Sequence, residues 1–599
     1  MARTTFIAKQ RPIQPRPDDG VARSCGYAQD NGQHEWEAFP HPFLKIDVND
    51  NERTLSDLPR AVVELRMCAM SNEIREKERW WEKMQDPDIL AKWTKEVEEQ
   101  ELSVDLTQRL SPQMINYVFQ ELEGYAALRD PRTGIQPACF ERVWRSDTLV
   151  SPELRGRLLA AVALLESTST PDWHPGSDGK VLDLVHPSLY PLVYGKTCSW
   201  DVDKQDLRPL DPPRPMEESD GSHLSQEFCW LPSDFSIAED GTARLASSYI
   251  NNVDPSTQAG KMLVPAIVSL VGIAVPLWEP VLGELRSPLS PMRLQQLGTD
   301  ENYWEAKRYA AIQCIWKDKE PPYPEPEEEE YVDRDDEWFG QQVDQMDLPE
   351  ALEAYDGALQ SIVKEKVNLK GSTIQVIVKL ANIVLTPEKP NYGGGTWHVE
   401  GMENEHIVST FIYYYDEHNV TPSTLSFRTA TNAPTPHCQD DTYCMERVYG
   451  IERGQSRVQP RGSVTTCQHR SLAFPNIYQH CVSPFKLADP SRPGHRKIVA
   501  LFLVDPTLRI PSATDVPPQQ MYMYEDVLLR GVDSEFGKAL PAELRDIVAE
   551  KLRVDAAKMS REEAEDVRER FMAERTKAAN GFEGAGTPLF AMQFNMCEH

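Results

Sequence analysis

The pattern of the chain predicts an α+β protein in which helical segments flank a β-sandwich or barrel. Three observations carry this. Apolar residues recur at intervals of three and four from Leu55 to about Leu165 and again from about Lys261 to Leu282. Short β-branched and aromatic runs, bounded by turn residues, take over after about residue 365. A mixed-charge helical pattern returns from Pro541 to Ala579.

Val62, Val63, Leu65, Met67 and Met70 open the first helical stripe, which Trp80, Trp81, Met84, Ile89, Leu90 and Trp93 continue. Leu154, Leu158, Ala161, Val162 and Leu165 predict another buried helix. From Asp172 to Asp254 the chain is broken by Pro and Gly and reads as loops and short strands. Met262 to Trp278 is the most apolar stretch. Its 17 residues are short for a bilayer and Pro265, Ser269 and Pro276 interrupt it, so a buried helix is expected rather than a membrane span. Asn302 to Trp316 can form a further helical face, and the Glu- and Pro-rich run Glu320 to Glu330 reads as a solvated linker. Strands are expected at Thr373 to Leu385, Ile407 to Tyr415, Leu425 to Arg428 and Ile498 to Val504, and Leu544, Ile547, Val548 and Leu552 mark a last apolar stripe.

The 599 residues are too many for one ordinary core. The expected division is an arm at 1–45, a mostly helical domain at 46–319, an acidic linker at 320–345, a β core at 346–515 and a helical extension at 516–599. With 63 basic against 94 acidic residues the net charge is −31, which repels phosphate backbones and disfavours nucleic acid as a partner. Eleven thinly spread cysteines fit reduced thiols better than a disulfide framework. The start, Met1 to Phe6, has no apolar signal core and stays free of acid until Asp18, so a flexible tail is expected over a presequence. The location expected is cytoplasmic, with the nucleus as the alternative; no membrane partner is expected, and oligomeric state stays open.

The chemistry concentrates in two strings. In Tyr392-Gly393-Gly394-Gly395-Thr396-Trp397-His398-Val399-Glu400-Gly401, His398 and Glu400 are two residues apart and share one side of an extended strand. His480 follows in Phe474-Pro475-Asn476-Ile477-Tyr478-Gln479-His480-Cys481, and Arg496 opens an apolar strand beyond it. Two imidazoles and one carboxylate on one face form the ligand set of non-haem ferrous oxygenases. A planar guanidinium nearby suits the far carboxylate of an oxo acid.

The order His-x-acid, strand, His, Gly-x-Arg resembles the Fe(II)/2-oxoglutarate dioxygenases, especially the prolyl-hydroxylase and alkylation-repair branches. Longer strings resemble a fungal family known as domain of unknown function 4246. They include Asp172-Trp173-His174-Pro175-Gly176-Ser177, His186-Pro187-Ser188-Leu189-Tyr190-Pro191, Ser248-Tyr249-Ile250-Asn251-Asn252 and Leu385-Thr386-Pro387-Glu388-Lys389-Pro390. The resemblance implies a double-stranded β-helix core (jelly-roll, cupin-like) at about residues 365–510, with His398, Glu400 and His480 as iron ligands. It implies Arg496 as the 2-oxoglutarate anchor and, more loosely, Asn382 and Lys379 as cosubstrate contacts. Fe(II), 2-oxoglutarate and dioxygen are the implied cofactors, and a small metabolite is the expected substrate, hydroxylated with release of succinate and carbon dioxide. Glu replaces the commoner Asp, and the step from His480 to Arg496 is longer than the resemblance leads one to expect.

Other readings stand beside this one. A metal-bearing β-barrel acting as a binding or scaffold protein, or a protein side-chain hydroxylase, uses the same residues. His437, Cys438, Cys444, Cys467 and His469 are weighed as a zinc site, with ordinary thiols the simpler account. Gly393-Gly394-Gly395-Thr396 lacks the ending of a phosphate loop and reads as a turn. His174 and His186, with Asp172 and Asp183, are expected to stabilise turns, with a substrate-side role as the alternative. At least one of Tyr413, Tyr414 and Tyr415 is expected to face the cavity.

Overall fold

In the computed structural model, residues 39–43, 57–286, 291–295, 349–521 and 558–580 are described apart from short internal gaps, with a few brief pieces elsewhere. The helix expected at 302–316, the acidic linker at 320–345, most of the arm at 1–45 and the apolar stripe's Ile547, Val548 and Leu552 lie outside the described residues.

The helices used below are α1 (Val62–Arg75), α2 (Pro87–Glu101), α3 (Pro112–Leu128), α4 (Pro152–Thr168), α5 (Gln258–Arg286) and α6 (Arg561–Asn580). Local chemistry sets their starts. Asp86 caps α2 by accepting from Asp88 N–H, and Ser111 caps α3 by accepting from Met114 N–H, with a proline at the first helical position each time. Among the described residues α5 is the one helix long and apolar enough to cross a membrane. In the structure Leu263, Ile267, Leu270, Val271 and Trp278 bury it, and Trp278 meets Phe411 edge-on at 6.3 Å.

The strands are β1 (Gln136–Pro137), β2 (Trp144–Ser146), β3 (Asp172–Trp173), β4 (Val181–Val185), β5 (Ser233–Ile237), β6 (Ala243–Leu245), β7 (Thr373–Leu385), β8 (Asn391–Tyr392), β9 (Ile407–His418), β10 (Ser423–Ala430), β11 (Val458–Thr466), β12 (Ser471–Pro475), β13 (Gln479–Val482), β14 (Phe485–Lys486) and β15 (Gly494–Val504). A ten-stranded sheet runs β6-β5-β7-β15-β9-β12-β2-β1, with β4 also on β7 and β3 on β4. A second sheet runs β11-β10-β13, and β8 pairs with β14. All of these pairings are antiparallel. Phe427 of the second sheet packs on Phe474 of the first, ring centroids 4.9 Å apart, so the two share a core.

The division expected at residue 346 does not hold for the sheet. Strands β1 to β6 come from the part read as mostly helical, yet they extend the sheet that β7, β9, β12 and β15 build. These strands are two to five residues long, too short to show an alternating pattern. β4 and β5 are placed by pairing with the thirteen-residue β7, and β2 by pairing with β12.

Register decides which side chains meet. Ile383 lies opposite Arg496 and Asn382 opposite Lys497. Lys379, Ala381, Ile383 and Leu385 therefore share one face of β7, called inner here, and Asn382 belongs to the other. Ile383 and Leu385 cluster with Phe485 and Leu487, and the Arg496 guanidinium lies 4.3 Å from the Phe485 ring centre.

Candidate metal centre

The chain reaches the centre through a glycine turn. Gly394 adopts φ +88°, and a Cβ there would stand 2.9 Å from Val482 O; Gly395 N–H donates to that same oxygen. The close approach lines up His398 with His480 as an isolated antiparallel bridge. Their ring centroids are 4.3 Å apart, and the His480 ring also packs on Phe474 at 4.9 Å.

The hydrogen bond between His398 Nδ1 and Thr396 O, 2.7 Å, requires the ring proton on Nδ1 and leaves the Nε2 lone pair free. Glu400 Oε1 lies 3.8 Å from His398 Nε2 and 3.4 Å from His480 Nε2. Asn476 fixes the backbone there. It accepts from Glu400 N–H and donates to Glu400 O and Ile407 O. The ligand atoms of His398, Glu400 and His480 all lie within 4.8 Å of one another.

Electrostatics keep the cluster in its ligating form. Burial opposes charge on Glu400, but the hydrogen bond from His480 and the charges of His398, His480 and Lys379 hold its pKa at about 2. Desolvation and the neighbouring His480 lower His398 to about 4, although 41% of that side chain is exposed. His398 is thus held neutral and Glu400 ionised at neutral pH, and two imidazoles with a carboxylate are a donor set that fits a borderline-to-hard divalent ion.

Arg496 is 1% exposed. Its Nε donates to Glu417 Oε2 at 2.9 Å and its Nη1 to Ser423 Oγ, while Nη2 is buried with no hydrogen-bond partner. An unmet guanidinium N–H on the inner face fits a carboxylate.

Lys379 also lies on the inner face. Its charge acts on His398, Glu400 and His186, and its ammonium makes no ion pair among the described residues.

Asn382 is a correction. Its Nδ2 donates to Glu166 Oε1 of α4 and its Oδ1 accepts from Tyr415 OH at 3.2 Å, while Lys497 Nζ pairs with Glu166 at 2.7 Å. It lines a hollow of about 500 Å³ with Trp173, His418 and His495, on the face away from His398. One step along a strand reverses the face, and the sequence alone did not set the register. The tyrosines divide the same way. Tyr415 joins Asn382, whereas Tyr414 feels the charge of Arg496.

A second cluster forms where the sequence predicts turn-stabilising hydrogen bonds, with a substrate-side role as the alternative. His174, Asp183 and His186 also bring ligand-type atoms within 4.8 Å, with His174 Nδ1 2.8 Å from Asp183 Oδ2. The proximity arises from the pairing of β3 with β4, which the expectation of short strands between Asp172 and Asp254 did not specify. Of the weighed zinc residues, 437 and 438 lie outside the described residues, and no metal-type cluster among the described residues includes Cys467 or His469.

Antiparallel sheets sharing one core, with a His-x-Glu and a distant His converging beside it, define a mixed α/β protein with a candidate metal centre. The chain belongs to the family described as protein of unknown function, DUF4246, whose pattern matches residues 112–527, and its residues 11–96 match that family's N-terminal domain of unknown function. No curated protein matches it. Among solved structures, the Fe(II)/α-ketoglutarate-dependent dioxygenase TqaL is similar over 61% of this chain and 95% of its own, with 11% identity and a TM-score of 0.20. A bsmA homolog from Methylobium petroleophilum PM1 is similar over 59% and 84%, with 11% identity and a TM-score of 0.19. IDO from Bacillus thuringiensis is similar over 22% of this chain and 49% of its own, with 11% identity and a TM-score of 0.14, so this chain spans about half of IDO's length.

Proposed function

We propose that this chain is an Fe(II)- and 2-oxoglutarate-dependent dioxygenase, and that its paired sheets form a double-stranded β-helix. The observation that carries the reading is the convergence of His398, Glu400 and His480 within 4.8 Å, with the unmet Nη2 of Arg496 on the inner face. When bound, a ferrous ion with 2-oxoglutarate and dioxygen supplies the oxidising chemistry, with succinate and carbon dioxide as by-products.

The chain's own residues hold and shield. His398 and His480 present Nε2, and Asn476 keeps the Glu400 backbone in place. Arg496 takes the far carboxylate of 2-oxoglutarate through Nη2, its Nε–H and one Nη1–H being tied by Glu417 and Ser423. Ile383, Leu385, Phe485 and Leu487 keep water from that guanidinium. A small metabolite is the proposed substrate, hydroxylated in the cytoplasm or nucleus, without nucleic acid or membrane as partner.

Anaerobic Fe(II) with 2-oxoglutarate should give a weak visible charge-transfer band, absent in His398→Ala, and aerobic incubation should release succinate. Iron binding without the band or succinate would favour the non-catalytic metal-bearing barrel.

A further inference from the structure

Beside the metal cluster the inner face gathers positive charge that the chain leaves unspent. Asp183 lies opposite Ala381 in the β4–β7 pairing, on the inner side and two residues from Lys379. His186 follows directly after β4. Lys379 lies opposite Ala500, and the next inner residue of β15 is Phe502. Trp230 stacks on Phe502 with centroids 5.5 Å apart, and the Arg575 guanidinium of α6 lies 3.5 Å from the Trp230 ring centre. The β4 end, Lys379 and the end of α6 thus meet over one stretch of the inner face.

Donors prevail among the polar atoms there; the buried Asp183 Oδ1, which has no hydrogen-bond partner, is the exception. Arg575 Nη1 is buried without a hydrogen bond, Glu405 Oε1 standing 3.9 Å off. Ser188 N–H donates to His186 Nδ1 at 3.2 Å, so the neutral ring carries its proton on Nε2 and can only donate from there. His186 Nε2 and Lys379 Nζ have no acceptor among the described residues. The charges of Lys379, Arg568 and Arg575 all bear on His186. Arg568 is neutralised by Asp172, both contacts 2.9 Å, but Lys379 has no such partner. Lys379, half-buried without an ion pair among the described residues, and Arg575, held by Glu405 only at 3.9 Å, can take an anion from outside.

We propose that Lys379, His186 and Arg575 form an oxyanion-recognition subsite beside the His398–Glu400–His480 cluster, and that the substrate oxidised there carries a carboxylate or phosphate. The substrate claim rests on the dioxygenase reading; the anion site does not. The same neighbourhood argues against a second metal at His174, Asp183 and His186, because an added cation would face Lys379 and Arg575 and would have to displace the Ser188 N–H or the Nε2 proton.

The test is calorimetric titration of the full-length chain, with and without Mn(II), using inorganic phosphate in one arm and malonate in the other. One arm should bind, identifying the anion. Affinity should fall at least tenfold in Lys379→Met and in Arg575→Gln and return in Lys379→Arg, with one Mn(II) bound per chain throughout. Thermal melts show which variants are folded, and Lys379→Met carries the test if Arg575→Gln is not. The proposal is overturned if neither anion binds, if Lys379→Met leaves binding unchanged, or if a second Mn(II) binds and is lost in Asp183→Asn. Failure of Mn(II) to bind at His398 with anion binding intact would sink the dioxygenase reading and support the subsite.

Discussion

His398 and His480, 82 positions apart in the chain, exchange backbone hydrogen bonds: His480 N–H donates to His398 O at 3.0 Å and His398 N–H to His480 O at 3.3 Å. The two proposed imidazole ligands are thereby set by the backbone, independently of any ion. Preorganisation of this kind spares part of the ordering cost of binding.

Gly394 is the point where that bridge is most exposed to mutation. Gly394→Ala forces a side chain into φ +88° and a Cβ to 2.9 Å from Val482 O. A destabilisation of about 1–3 kcal/mol is expected, with weaker Mn(II) binding because His398 moves off His480. Urea unfolding and Mn(II) titration read the two effects. Gly393→Ala, where a Cβ meets nothing within 4 Å, should do little.

Asn476 is the second support. Asn476→Leu leaves the backbone N–H of Glu400 and the carbonyls of Glu400 and Ile407 without their partner. The expected cost is about 2–4 kcal/mol of stability. Metal affinity should fall roughly 10- to 100-fold, as it does when groups that orient ligands are removed. Unchanged Mn(II) affinity in a folded Asn476→Leu chain would show that Glu400 needs no such brace.

Arg496 and Asn382 separate by face. Arg496→Lys replaces a planar fork with a point charge and should raise the dissociation constant for 2-oxoglutarate at least tenfold, because Glu417 and Ser423 then compete for one ammonium. Asn382→Ala should leave that constant unchanged. It should instead lower thermal stability by loosening Glu166 and Tyr415. Equal losses of 2-oxoglutarate affinity in both variants would contradict the face assignment.

The pattern of success in reading the sequence follows from range. The His-x-Glu pair was legible from its spacing, although the expected strand is reduced to an isolated bridge at His398 and a bend at Glu400, and β7, β9 and β15 were legible because long β-branched runs announce themselves. Asn382 failed because its side depends on register, which β15 sets from more than a hundred positions away. Asn476 was invisible as a brace: its three hydrogen bonds reach 69 to 76 positions back along the chain, and no local spacing marks them. Strands β1 and β2 escaped because two or three residues carry no period, and for β3 to β6 short strands were expected between Asp172 and Asp254 but not their pairing.

Acid should unfold this protein earlier than its carboxylates alone would. Burial lowers His406 from 6.5 to about 4, and burial with His406 lowers His41 well below its ordinary value; the two rings lie 5.6 Å apart. Both stay neutral in the folded chain, while in the unfolded chain they take up a proton near pH 6.5. The unfolded state then binds more protons between pH 6.5 and about 4, so stability rises with pH across that window. Their contribution is complete above pH 6.5 and is lost as the pH falls toward 4. Burial raises Glu405 and Asp505, which act with the opposite sign. For His406 the loss at pH 5 is on the order of 1–2 kcal/mol. Urea midpoints at pH 7.5 and pH 5 measure the slope. His406→Asn keeps a residue that tolerates the left-handed φ of +46° and removes the proton site, so its slope should be shallower. An identical slope in His406→Asn would place the acid sensitivity elsewhere.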